Sequence, residues 1–172
     1  MSSDIPKHNI SARSAYEQMI GVMLDFHDEK ALVDVVQPDV IGYGSAEHEF
    51  MKTCQDVQKM ARIQSEQLKG KGFERVRKPI EERYFANGNI CLILEEFELT
   101  IPEMNHHFLL RLSSMLEKKD GKWMVTHFHG STPDSDIAEE EAFPMEGLRT
   151  KTLELEAKIR ERTRDLAIEA AL

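Results

Sequence analysis

Residues 106–131, HHFLLRLSSMLEKKDGKWMVTHFHGS, decide the fold. Two runs rich in apolar and β-branched or aromatic residues flank Lys119-Asp120-Gly121, and an Asp-Gly step between such runs marks a β-hairpin. Side chains alternate between the two faces of a strand, so His107, Leu109, Arg111 and Ser113 share one side, with Phe108, Leu110 and Leu112 opposite. On the second strand strict alternation puts Trp123, Val125, His127, His129 and Ser131 together, and Met124, Thr126 and Phe128 on the reverse. Both faces are partly apolar. Such a sheet is expected to be covered on both, by helices on one side and by a partner subunit on the other.

Upstream, FERVRKPIEERYFA (73–86) and ICLILEEFELTI (90–101) read as a second strand pair, turning at Asn87, Gly88 and Asn89. The chain before them has helical spacing. Ser11 is placed to cap a helix in which Ala15, Met19, Val22, Met23 and Phe26 recur every three or four residues. A short apolar segment (31–36) reaches Pro38, DVIGYGS (39–45) reads as a strand, and residues 47–69 read as a helix carrying Phe50, Val57, Met60, Ile63, Gln64 and Gln67, stopped by KGKG (69–72). Helices first and a four-stranded meander after them predict an α+β domain, with the N-terminal helices packed on one face of a curved antiparallel sheet.

Bulk properties narrow the function. A chain of 172 residues, 41% of them hydrophobic, is enough for one domain with a sizeable core and some length left over. With 31 acidic residues against 22 basic ones, the net charge of −9 disfavours nucleic acid as a partner. The two cysteines, Cys54 and Cys91, have no CxxC spacing, which argues against a disulfide framework and a zinc knuckle. MSSDIPKHNI lacks the features of a signal peptide, and no apolar run approaches the ~18 residues of a membrane span, so the expected location is the cytoplasm.

The face with Arg111, His127 and His129 is the candidate interior of the curved sheet, where a cavity would bind a small molecule. Glu95 is in phase with Cys91, Ile93, Phe97 and Leu99, so its carboxylate is expected to be buried and to need Arg111 or a histidine as partner. Two histidines at i, i+2 on a strand admit three readings: a structural hydrogen-bonded pair, pocket lining, or a metal site. The metal reading lacks an evident third ligand. His106 and His107 point to opposite sides, so one at most joins the site. Tyr16 and Tyr43 are further candidates to donate a hydrogen bond to a ligand, with Trp123 in the wall. An acid/base enzyme pairing His127 or His129 with Glu95 is the sharper alternative. No GxSxG nucleophile motif is present.

HHFLLRLSSMLEKKDGKWMVTHFHGSTP (106–133) resembles the closing strands of the SnoaL-like branch of the nuclear transport factor 2-like superfamily: an Arg followed two residues on by Ser, a DG turn, a Trp, and an HxH that runs into Ser and Pro. With the DVIGYGSAEHEF segment (39–50) before it, the resemblance covers residues 11–133. It implies a cone-shaped α+β fold with a deep pocket, a homodimer through the outer sheet face, and a pocket lined by Arg111, Ser113, His127 and His129. The family includes ketosteroid isomerase, polyketide cyclases, dehydratases and many domains that only bind. The isomerase's Asp and Tyr pattern is not recognisable here.

Residues 1–10 read as a flexible lead-in and 134–144, acidic and Pro-bounded, as a linker. From 145 to 172 the chain is expected to be a charged helix with a narrow heptad seam: Met145, Leu148, Thr152, Leu155, Ile159, Arg162 and Leu166. A dimeric coiled coil is favoured over a helix folded back on the domain. LRTKTLELEAKIRERTRDLAIEAAL resembles the signalling helix that joins a sensor to a histidine kinase or a diguanylate cyclase, through Glu161-Arg162-Thr163-Arg164-Asp165-Leu166. The sequence therefore reads as a cytoplasmic homodimeric sensor for a small organic ligand, an organic acid or a planar hydrophobic molecule, linked to an output domain beyond this chain. No cofactor or metal is expected. An isomerase, dehydratase or hydrolase is the second reading and a ligand-free dimerisation module the third.

Overall fold

The computed structural model describes residues 10–133 and 145–169. The chain divides into two compact units between Pro133 and Asp134. The first contains helix α1 (Ala12–Asp25), a 3-10 turn (Glu29–Asp34), strands β1 (Val36–Tyr43) and β2 (Phe50–Met51), helix α2 (Cys54–Leu68), and the long strands β3 (Glu74–Phe85), β4 (Ile90–Ile101), β5 (His106–Lys119) and β6 (Lys122–Ser131). The second contains helix α3 (Met145–Glu169). Nearly all of the expected lead-in and all of the 134–144 linker lie outside the described residues.

Local chemistry sets the helix ends. Ser11 Oγ accepts the Ser14 amide at 3.1 Å, and α1 stops where Phe26 turns left-handed and the His27 amide returns to the Gly21 carbonyl at 3.1 Å. The Phe26 ring packs on Phe73, with centroids 5.6 Å apart. Helix α2 begins later than its apolar spacing suggests. Thr53 and Asp56 form a capping box there, and Phe50–Met51 instead pair with β1 as a short strand.

The six strands form one sheet in the order β2-β1-β6-β5-β4-β3. The expected wholly antiparallel sheet is corrected by β1, which runs parallel to β6 after the chain crosses over through α2 and the meander. The β5–β6 hairpin turns at Asp120 and Gly121, both with positive φ, the geometry that Asp-Gly accommodates cheaply.

One face of the sheet is covered by α1 and α2, and the core lies between: Tyr16, Met19 and Ile20 from α1, Val57 and Ala61 from α2, and Cys91, Ile93, Phe97, Leu116, Val125 and Phe128 from the sheet. The opposite face exposes large apolar side chains, among them Ile41, Tyr43, Ile80 and Met115.

A β-bulge in β6 controls which side chains reach the core. Leu116 pairs with Val125 while its neighbour Met115 pairs with His127, so Thr126 is an extra residue and the alternation changes phase across it. Trp123 and Val125 point towards the helices before the bulge, and Phe128 and Gly130 do so after it. Strict alternation through the stretch is thereby overturned.

Candidate functional site

The phase change relocates the expected site. Arg111 pairs with Glu96 and Ser131, and Ser113 with Leu94 and His129, so these side chains stand on the outer face while Glu95, in register with Leu112, points inward. Arg111, Ser113 and His129 do come together, around a shallow outer depression of about 210 Å³ that Ile80 and Leu94 also line. Arg111 Nε donates to Glu96 Oε1 at 3.2 Å, and Lys78 approaches the other oxygen at 3.3 Å. The resemblance-based expectation that Arg111, Ser113, His127 and His129 line an interior pocket is corrected accordingly.

His127 bonds the neighbouring strand. Its Nδ1 donates to the carbonyl oxygen of Ile41, its partner on β1, at 2.8 Å, next to the register shift between Val36 and Ile41. His129 meets the Tyr43 ring edge-on, with centroids 6.0 Å apart, and Tyr43 stacks on Phe50 at 4.8 Å. His107 is exposed and shares a hydrogen bond of 3.0 Å with Thr100 Oγ1. Glu95 borders the outer depression together with His129, but its carboxylate is buried and bonded to Tyr16 and Arg77, and among the described residues no hydrogen bond joins it to either strand-end histidine as the acid/base reading expected. Among the described residues no group of three His, Cys, Asp or Glu is arranged to hold a metal ion.

Glu95 is buried as expected, at 2% exposure, but Arg111 is not its partner. Its Oε2 accepts the Tyr16 hydroxyl at 2.7 Å and Arg77 Nη2 at 2.8 Å, and its Oε1 accepts Arg77 Nε at 2.7 Å. Arg77 also grips Glu17 on α1 through Nη1 at 2.6 Å and Nη2 at 2.9 Å. Beside it Arg13 binds Glu82, which accepts the Tyr84 hydroxyl at 2.8 Å, and Arg75 pairs with Asp25. Burial alone would push the Glu95 carboxyl up, but the hydrogen bonds from Arg77 and Tyr16 and the guanidinium charges outweigh it, and the net shift is downward. Burial, then the bond to Glu95, raises the Tyr16 phenol above its ordinary value. These groups hold one another in fixed charge states, a clamp between α1 and edge strand β3. Trp123 is buried near this clamp, its ring edge-on to Tyr84 at 6.0 Å.

The cavity lies elsewhere, between α1, α2 and the β1–β6–β5 end of the sheet. It is about 80 Å³ and largely apolar: Met19, Ile20 and Met23 from α1, Met60 from α2, and Leu110 and Phe128 from the sheet. Tyr43, Gly44, Ser45 and Glu49 border it, the last accepting the Ala46 amide through Oε2 at 3.0 Å, and Gln64 supplies a polar group from α2. Of the nine residues expected in a site, Tyr43 alone lines this cavity. Gly42 makes room for its wall: a Cβ there would stand 2.5 Å from the Phe128 ring.

Gln64, Met60 and Met19 were legible only as members of amphipathic helices. The usable signal was that Gln64 falls four residues after Met60 and seven after Val57, putting an amide in the inward stripe of α2. Arg77 gave weaker notice, as one of two arginines in phase on β3.

A domain of two helices laid over one face of a mixed sheet, with a small apolar cavity between the layers, defines the class. Residues 13–135 match the model of the SnoaL-like domain, and the chain belongs to that family. No curated protein matches the sequence. Among solved structures, a domain of unknown function with a cystatin-like fold from Nostoc punctiforme PCC 73102 superposes with a TM-score of 0.64 at 13% identity, over 90% of this chain and 93% of that one. A nuclear transport factor 2-like protein of unknown function from Pseudomonas putida KT2440 gives 0.58 at 15% identity, over 76% and 89%. A hexachlorocyclohexane dehydrochlorinase from Novosphingobium barchaimii LL02 gives 0.56 at 14% identity, over 77% and 91%. At these identities the likeness is one of fold.

Proposed function

We propose that this chain is a small-molecule-binding domain that works as a homodimeric sensor rather than as an acid/base enzyme. The observation that carries the reading is the chemistry of the cavity wall: among the described residues lining it there is no Lys, Arg, His or Cys, and its one carboxylate, Glu49, is bonded to backbone. The buried carboxylate that could have served as a base is saturated by Tyr16 and Arg77 at a separate place.

The homodimer forms through the outer sheet face. Ile41, Tyr43, Ile80 and Met115 are exposed there, large apolar side chains that a partner subunit would cover. Helix α3 supplies transmission. Leu155, Ile159 and Leu166 are exposed along the heptad seam of a helix otherwise dominated by charge, and pairing two such helices would relay cavity occupancy to an attached output domain. No helix among the described residues is long and apolar enough to cross a membrane. The expected cytoplasmic setting remains part of this proposal.

Native mass spectrometry of the purified chain, with metal analysis on the same sample, tests it. The expected result is a dimer that releases a small organic molecule on mild denaturation and carries no stoichiometric metal. A Met115→Glu variant should weaken the dimer, and Ile159→Glu should do so through the helix. A monomer that stays monomeric at high concentration, or a metal bound one per chain, would overturn the reading.

A further inference from the structure

Gln64, among the described residues that line the cavity, carries an enclosed polar atom without a partner. Its Oε1 is buried and accepts no hydrogen bond among the described residues, while most of the wall is methionine, leucine, isoleucine and phenylalanine, with Tyr43, Gly44, Ser45 and Glu49 at the border. An unpaired carbonyl oxygen in apolar surroundings is costly, and a hydrogen-bond donor placed in the cavity would relieve it. No cation stands among the described lining residues to receive an organic acid, and Glu49 at the border would repel one. This departs from the organic acid that an arginine-and-histidine pocket would have suited.

We infer that the cavity selects a neutral, mainly apolar molecule bearing one hydroxyl or N–H group, which donates to Gln64 Oε1. The inference rests on the binding function proposed above and specifies its ligand class. The space of about 80 Å³ is too small for an aromatic ring at rest, since an engineered cavity of ~150 Å³ is known to take up benzene. The three lining methionines resolve this. Met19, Met23 and Met60 line it, and unbranched, polarizable side chains of this kind would re-pack to admit a ring and bring its donor to the enclosed Gln64 oxygen.

Their methyl groups also report where a ligand goes. The full chain, labelled at the methionine methyls, is titrated with benzyl alcohol, toluene and benzoate, three probes of similar size that differ in donor and charge. Benzyl alcohol is expected to shift Met19, Met23 and Met60 while leaving the exposed Met104 unmoved, and to bind about fivefold tighter than toluene, the scale of one net hydrogen bond. Benzoate is expected to bind more weakly than both. Gln64→Leu should bring alcohol and toluene to equal affinity, and Gln64→Glu, which keeps an acceptor, should restore the preference. Equal affinity of alcohol and toluene in the unmodified chain, or benzoate as the tightest probe, would overturn the donor rule while leaving a binding cavity intact. No shift at Met19, Met23 and Met60 with any probe would overturn both.

Discussion

Tyr16, in the second turn of α1, donates its hydroxyl to Glu95 in the centre of β4 at 2.7 Å, across a sequence separation of 79 residues. The bond fixes the angle at which the first helix crosses the sheet. Because Arg77 reaches the same carboxylate from β3 and also holds Glu17, helix α1, strand β4 and the edge strand β3 are locked together by one buried anion. A carboxylate with all its partners in place is a structural anchor and a poor proton acceptor.

Removing one partner should therefore cost more than removing a surface ion pair. Arg77→Met leaves Glu95 buried without its main counter-charge and should destabilise the fold by about 3–5 kcal/mol. Tyr16→Phe deletes only the hydroxyl, a hydrogen bond to a charged group, and should cost about 1.5–3 kcal/mol. Urea denaturation with matched m-values checks both.

The same groups define the pH limits. Glu95 and Glu82 titrate below their ordinary values in the fold, since their arginine and tyrosine hydrogen bonds overcome the cost of burial. Their stabilisation is fully present above the unfolded value of about 4.3 and is lost as pH falls through the depressed folded values. Tyr16 and Tyr84 are raised, Tyr16 chiefly by burial and Tyr84 chiefly by its bond to Glu82. Their contribution is present below about 10 and fades as pH climbs towards the raised folded values. Thermal midpoints measured across pH should fall at both ends, and Glu95→Gln should flatten the acid limb even as it lowers the plateau.

The histidines should be dispensable for binding. His129→Ala removes an exposed ring that touches Tyr43 on the outer face, and should leave the affinity of any cavity probe unchanged. His127→Ala breaks the bond to the Ile41 carbonyl and should cost about 1 kcal/mol of stability, again without changing affinity. Loss of cavity binding in either variant would contradict the assignment of these residues to the outer side.

The β6 bulge offers a sharper test. Deleting Thr126 removes the extra residue and leaves Trp123, Val125, Phe128 and Gly130 on one face under regular alternation, as the core requires. The large apolar groups stay in the core, so the deletion should cost less than the roughly 3 kcal/mol that emptying a Phe or Trp site costs. Denaturation followed by Trp123 fluorescence checks this: the ring is buried in the native chain and should stay so in the folded variant, and an exposed ring would contradict the assignment of the bulge.

Gly42→Ala should be disproportionately harmful for one methyl group. The new Cβ would meet the Phe128 ring at 2.5 Å and drive it towards the cavity. Overpacking of this kind costs about 1–3 kcal/mol, and the variant should also bind cavity probes more weakly, as calorimetry would show.

Periodicity, capping and turn chemistry act over a few residues, and on their own they determined much of this protein. Ser11 at the start of α1, the Asp120-Gly121 turn, the four long strands and the burial of Glu95 in phase with Ile93 and Phe97 were all legible, as was the SnoaL-like family. Tertiary structure alone decided the rest. That β1 joins the sheet parallel to β6 depends on strands some 85 residues apart, and nothing in either strand states the pairing. Thr126 looks like any strand residue; it becomes a bulge because Val125 and Phe128 must both reach the same core, and this one inserted residue sends His127 and His129 outward. Likewise the sequence requires that Glu95 find a cation, but a short reach across β3 chose Arg77 over Arg111, since a residue's face is fixed by its neighbours' register rather than by its own identity.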